Sequence, residues 1–305
     1  MESQDEQPRS LAQVRAPASS ANLGPGFDVL AVALDLTLVV RAVPRDGSRV
    51  VAAGEGADEV PDDDSNLVWR GVRAFCDVFA SDVPDVTLHC QNSIPLERGL
   101  GSSAAAVVAG LVLGRTITGA PVADQDLIDL AAQLEGHADN AAAAVLGGLV
   151  VAGPTGSARR FEPTRGLRPI VCIPTDRLAT STARGLLPTN VPLEMLVTTM
   201  RRTALVLAGL AGMSAWDPTA MTDDVHEPPR LDVMKGSKEL VQAARDAGYG
   251  ACLSGAGPTV LVLAEPDDSA VVDRLRTVVD DGWRIEPVRW DRAGARGQDG
   301  TSAAS

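Results

Sequence analysis

An α+β protein of two domains is what this sequence predicts, and three observations carry the prediction. Strand and helix patterns mix without a steady β-α-β repeat. A Pro/Gly/Arg-rich passage, "EPTRGLRP", interrupts the chain near residue 165. After it the order is strand, helices, two strands, helix, strand, which suits a small antiparallel sheet with helices on one face. The 305 residues suffice for two domains, set here at residues 11–165 and 166–290.

In the first half, "AQVRAPA" and "VLAVALDLTLVVRAV" read as strands, and "RDGS" reads as a hairpin turn into "VVAAGE". "SNLVWRGVRAFCDVFA" has apolar residues at helical spacing behind a Ser-Asn start, and "DVTLHCQ" alternates like a half-buried strand. A glycine-rich turn then feeds a helix. "DQDLIDLAAQLEG" is another helix, with Asp124 as its N-cap and Glu135 at its end. His137, Asp139 and Asn140 follow in a loop, and "GGLVVAG" is the closing strand. The second half offers the strand "IVCIP", a long helix over residues 192–212, a helix over residues 235–248, the strand "TVLVLAE", a further helix and the strand "WRIEPVRW". Residues 1–10 and "DRAGARGQDGTSAAS" from Asp291 read as flexible tails.

Composition narrows the function. With 45% apolar and 22% charged residues the chain is globular, and no apolar run reaches bilayer length. Its start, "MESQDEQPRS", lacks the features of a secretion signal, so the expected location is the cytoplasm. A net charge of −13 and 3% aromatics argue against nucleic acid as a partner. Cys76, Cys90, Cys172 and Cys252 are widely spaced and read as buried hydrophobes in a reducing compartment. The basic residues include only two lysines, Lys235 and Lys238.

The stretch "PLERGLGSSAAAVVAGLVLG", residues 95–114, is the most informative. Unpaired amides and the positive dipole end coincide at a helix N-terminus, glycines 99 and 101 allow close approach, and Ser102 and Ser103 add hydroxyls. The result is a phosphate cradle. It is not a Walker A loop, because Gly-Lys-Ser/Thr is missing, and the dinucleotide pattern Gly-x-Gly-x-x-Gly is missing too.

Four segments occur in order: "PASSANLGPGFD" (Pro17 to Asp28), "PLERGLGSSAA" (Pro95 to Ala105), "EGHADN" (Glu135 to Asn140) and "LSGAGPTV" (Leu253 to Val260). In this combination the chain resembles the GHMP kinases from about Val14 to Trp290, and most of all their homoserine-phosphorylating branch. The resemblance implies an N-terminal domain like ribosomal protein S5 domain 2 and a ferredoxin-like C-terminal domain. It implies ATP and Mg²⁺ as cofactors, and small-molecule substrates. The ATP site would be Pro95, Leu96, Glu97, Arg98, Gly99, Leu100, Gly101, Ser102, Ser103, Ala104 and Ala105, with Asn66 near the adenine. Magnesium would take Glu135 and Ser102 or Ser103, hard oxygen donors as this ion requires.

The same resemblance places Arg184 and Arg230 at the substrate carboxylate, where a guanidinium fork fits. Asp28 would hold the ammonium, with Asn22 beside it. His137, Thr180 and Gly255 would contact the amino acid, and Asn140 the hydroxyl to be phosphorylated, with Asp139 beside it as an alternative base. The chain departs from the family pattern at Gln133, where many relatives carry an acid, and at Ala138, where most have proline. "HEPPRLDVMKGS" matches only loosely. The competing readings are a mevalonate- or shikimate-type kinase and a non-catalytic sensor of the same fold. Asp28 favours an amino acid, since those acids carry no ammonium. A homodimer is left open.

Overall fold

The computed structural model describes residues 10–79, 81–154 and 157–300. Residues 1–9 and 301–305 of the two expected tails lie outside the described residues. Two long strands, β1 (Ala12–Asn22) and β2 (Gly26–Pro44), pair antiparallel around a tight turn. Their register shifts after Pro17, where a residue without an N–H belongs at an irregularity. The free edge of β2 is shared: β5 (Leu149–Ala152) takes its start and β4 (Val86–Asn92) its end. Beyond them lie β6 (Ala158–Phe161), on β5, and β3 (Val50–Gly54), on β4.

The "RDGS" hairpin is corrected here. β3 does not pair with β2; β4 lies between them, parallel to β3. Residues 45–49 instead hook onto the start of β4, through Asp46 N to Thr87 Oγ1 (3.2 Å), Thr87 Oγ1 to the Ser48 carbonyl (2.9 Å) and Leu88 N to the Arg49 carbonyl (2.9 Å). The interior position goes to the strand with more to bury, since β3 buries only Val50.

Four helices cover this sheet: α1 (Leu67–Val78), α2 (Ser102–Thr118), α3 (Asp124–Glu135) and α4 (Asp139–Leu146). The α2 run is apolar nearly all round because α2 is the central helix, against β1, α1, α3 and α4. A side chain on Gly71 or Gly110 would overlap the backbone of the facing helix, so α1 and α2 touch main chain to main chain. The N-cap of α3 is Ala123 rather than Asp124. Asp126 accepts from the Ala123 amide, and Asp124, one residue inside the helix, pairs with Arg115 at 2.7 Å. Asp139 and Asn140 likewise open α4 instead of lying in a loop.

The second sheet comprises β7 (Arg168–Pro174), β8 (Gly250–Leu253), β9 (Val260–Ala264) and β10 (Trp283–Pro287), ordered β10-β7-β9-β8 and antiparallel throughout. With α8 (Lys235–Asp246) and α9 (Val271–Arg276) against one face, this is the ferredoxin-like arrangement. Ile170, Cys172, Val260 and Val262 face those helices, while Val171, Ile173, Leu261 and Leu263 join the first domain's core. Burial on both faces explains why these strands are apolar without alternation. Three further helices lie between β7 and α8: α5 (Thr180–Gly185), α6 (Leu193–Leu210) and α7 (Glu227–Leu231).

The chain then returns to the first sheet, and the described part of the expected C-terminal tail is built into it. Asp291 is buried, accepts from Ala293 N and Gly294 N, and pairs with Arg15. Ala295 N bonds the Ala144 carbonyl at 2.8 Å, and β11 (Arg296–Asp299) pairs with β1. The Gly/Ala composition that resembles a linker serves close packing, since a side chain on Gly294 would overlap the Val145 carbonyl.

Candidate active site

The start of α2 opens into a cavity of about 850 Å³ lined by residues 95–104, the 55–67 segment, Glu135, His137, Asn140, Thr180, Arg184 and Gly255. Gly101 caps α2 in the left-handed conformation (φ 66°) and offers no side chain, so the first amides of the helix have no side-chain cap. Both loop glycines are required by protein neighbours. A Cβ on Gly99 would overlap the Ser254 carbonyl, and one on Gly101 would overlap Ser19 Oγ. Their freedom brings the loop down onto β1 and the 253–258 turn, and the helix N-terminus is thereby aimed into the cavity.

Arg98 is the loop's tether. Its guanidinium donates to the carbonyls of Pro174 (2.8 Å), Leu96 (2.9 Å) and Thr175 (2.8 Å). Arg177 is paired with Glu59 across the mouth, and Arg184 with Asp28. No lysine lines the cavity, so among the described residues every cation at its wall is already engaged.

The two expected metal-binding groups meet. Ser103 Oγ donates to Glu135 Oε1 at 2.8 Å, which selects Ser103 over Ser102 as the hydroxyl next to the carboxylate. No cluster of three or more His, Cys, Asp or Glu residues able to hold a metal exists among the described residues. One carboxylate and one hydroxyl are a donor set that fits an ion completed by phosphates and water.

Asn140 projects from the first turn of α4 onto the cavity wall. Its Oδ1 accepts from Ser19 Oγ (2.8 Å) and its Nδ2 donates to Asp139 Oδ1 (3.2 Å), the oxygen that also accepts the Asn140 amide (2.7 Å). Asp139 is buried and does not line the cavity. Burial pushes its pKa up from the usual carboxylate value. His137 Nδ1 is 3.6 Å from Asp139 and has no hydrogen-bond partner, although it is buried.

On the far side, Arg184 Nη2 and Nη1 reach Asp28 Oδ1 (2.8 Å) and Oδ2 (3.2 Å), so the two expected charge readers hold each other. Asp28 has a left-handed backbone (φ 55°), supported by its N–H bond to Asn22 Oδ1. Asn22 also donates to the Gly255 carbonyl at 2.7 Å, so both ends of its amide serve the protein. Asn66 is on the cavity wall but acts as the N-cap of α1, accepting from Val68 N and donating to the Pro61 carbonyl. Arg230 lies behind the wall, 2% exposed, over the same Phe27 ring as Arg184 (5.4 and 5.6 Å). The sequence reading assigns no role to Ser19, Glu59 or His226. The Ser-Ser of "PASSAN" and the His beside Pro-Pro-Arg were the available signals.

Residues 66–148 match the family of GHMP kinases N terminal domains, and residues 207–281 the GHMP kinases C terminal family. A homoserine kinase of Streptomyces avermitilis is 39% identical over 294 residues, covering 94% of this chain and 95% of that protein. One of Moorella thermoacetica is 42% identical over 254 residues, covering 81% and 86%. Among solved structures, a homoserine kinase from Cytophaga hutchinsonii superposes with a TM-score of 0.83 at 26% identity, covering 96% of this chain and 99% of the other. A mevalonate kinase superposes at 0.67 with 13% identity, covering 92% and 99%, a likeness of fold alone.

Proposed function

The chain belongs to the GHMP kinase family, and from that premise we infer that it is a homoserine kinase, transferring the γ-phosphoryl group of ATP to the side-chain hydroxyl of L-homoserine in threonine biosynthesis. One observation carries the substrate assignment. Arg184 lines the cavity into which the α2 N-terminus opens, and the Asp28 carboxylate, just beyond that lining, holds the same guanidinium. An α-amino acid presents the matching pair of charges, whereas mevalonate and shikimate present only one.

The roles follow from chemistry. Residues 95–105 receive the triphosphate on the amides that begin α2. Every cation among the described wall residues is engaged, so much of the phosphate charge is left for the helix dipole and a divalent ion; Ser103 and Glu135 would hold Mg²⁺, which when bound neutralises charge on the transferring group. Arg184, with Arg230 behind it, reads the carboxylate, and Asp28 the ammonium. His137, Thr180 and Asn140 line the space where the terminal hydroxyl meets the γ-phosphorus.

In the reaction the hydroxyl oxygen forms its bond to that phosphorus as the bond to the β–γ bridging oxygen breaks, and ADP leaves. Asp139 holds Asn140 from behind and is not on the cavity wall. The hydroxyl proton therefore passes to the phosphoryl group itself, as a loose transition state allows. We set the activity in the cytoplasm; no described helix is long and apolar enough to cross a membrane.

A coupled ADP-release assay with L-homoserine, L-serine, mevalonate and shikimate tests the reading. Homoserine should be the preferred substrate by kcat/KM. Preferred turnover of either acid lacking an ammonium would reverse the assignment, and ATP binding without turnover of any of the four would favour a sensor.

A further inference from the structure

His226 belongs to no part of the machinery described so far, yet it is fully buried and makes two hydrogen bonds, both with fixed polarity. Its Nε2 lies 2.7 Å from the Gly24 carbonyl, which can only accept. Its Nδ1 lies 2.9 Å from Arg230 Nη1, which can only donate. The ring is therefore the neutral Nε2–H tautomer, and a second ring proton would point straight at a guanidinium.

The connections run in one line across the domain junction. Gly24 belongs to the turn that carries Asn22 and Asp28. His226 precedes α7, its backbone fixed by Asp223, whose carboxylate accepts the amides of residues 225, 226 and 227. Arg230, on α7, reaches on through Nε to the Ala183 carbonyl, one residue from Arg184. Phe27 packs at 5.0 Å on the imidazole and under both guanidiniums. One imidazole thus ties the Asp28 turn, Arg230 and the Arg184 helix to each other. Arg230 Nη2 takes no hydrogen bond among the described residues, so the holding arrangement leaves a donor free.

We propose that His226 is a positioning residue for amino-acid recognition, setting the orientation of Arg230 relative to the Asp28–Arg184 pair while touching neither substrate. The proposal rests on the homoserine kinase reading for its kinetic consequence, but its geometric core does not.

Two isosteric substitutions separate the two hydrogen bonds. H226N places an amide oxygen where Nδ1 accepts from Arg230 and gives up the bond to Gly24. H226Q reaches Gly24 and gives up the acceptor for Arg230. The KM for homoserine should rise about tenfold or more in H226Q, with the KM for ATP unchanged within about twofold and kcat little affected. H226N should recover most of that loss. In an R230K background, H226Q should add little further. A loss in H226N equal to that in H226Q, or a matching rise in the KM for ATP, would show that the ring only supports the fold.

A second measurement does not depend on turnover. Exchange of the Arg230 Nη1 protons, followed by NMR, should be slow in the wild type and H226N and fast in H226Q. Slow exchange in H226Q would overturn the proposal even if homoserine proved to be the wrong substrate. Failure of wild-type turnover with the exchange pattern intact would overturn the substrate reading alone.

Discussion

Arg184→Ala is the substitution that best separates recognition from folding. The side chains of Arg184 and Asp28 are 39% and 40% exposed, and a pair that open contributes at most about 1 kcal/mol to stability. The variant should therefore melt within about 3 °C of wild type, given the usual 2–4 °C per kcal/mol for chains of this size. In the closed complex the accounting differs, because the substrate carboxylate would be left facing Asp28 with its cation gone. Losing one partner of such a pair costs roughly 2–5 kcal/mol, or about 30-fold to a few thousand-fold in kcat/KM at 1.36 kcal/mol per decade. Steady-state ADP release with L-homoserine measures the loss, and L-homoserine carboxamide is the matched control. The amide keeps the ammonium and the hydroxyl but carries no anion, so wild type should use it poorly and Arg184→Ala should lose far less on it. Equal losses on acid and amide, or a fall in melting temperature of 10 °C, would refute the argument and reassign Arg184 to holding α5 in place.

Gly101→Val puts a β-branched residue at φ 66° with its Cβ overlapping Ser19 Oγ, so it should weaken ATP binding at least tenfold by calorimetry and lower stability by about 1–3 kcal/mol. Wild-type ATP affinity in that variant would remove the phosphate site from residues 95–105. Glu135→Gln should lower kcat by about a hundredfold and raise the Mg²⁺ concentration needed for half-maximal rate; an unchanged rate at limiting Mg²⁺ would place the ion elsewhere. Asp139→Asn addresses a buried acid whose pKa is raised by desolvation, so ionising it costs folded stability once the pH passes its unfolded value near 4. The variant should out-melt wild type at neutral pH, lose that advantage below about pH 4, and keep kcat within about tenfold; a thousandfold loss of kcat would make Asp139 the base.

Local patterning carried the strand and helix inventory well. "DVTLHCQ" alternates because β4 has one buried face, and "TVLVLAE" does not because β9 has two. Pairing partners are non-local, which is why a turn sequence at residues 45–48 suggested a hairpin that β4 in fact interrupts. Asp139 and Asn140 read as a loop after Glu135 because α4 is buried nearly all round, and its alanine run shows no apolar period. In the site, motif matching brought Ser103, Glu135, Asn140, Asp28 and Arg184 to one cavity and its rim. What it could not supply was which polar atoms the protein already uses. Arg98, Asn22 and Asn66 each satisfy backbone groups, a fact that lies only in three dimensions.

The pairing of β11 with β1 has a consequence for the order of assembly. The first sheet uses residues near both ends of the described chain, and everything from residue 168 to 287 is made between them. On the ribosome, the outer edge of β1 stays open while the whole ferredoxin-like half is synthesised. Arg15 is meanwhile without Asp291, and Ala144 offers its carbonyl to nothing until Ala295 arrives. The nucleotide-binding half, although begun first, is therefore the half completed last. An unpaired strand edge held open that long is a template for a neighbouring chain, so the nascent protein is most exposed to mispairing at a strand that the finished fold conceals.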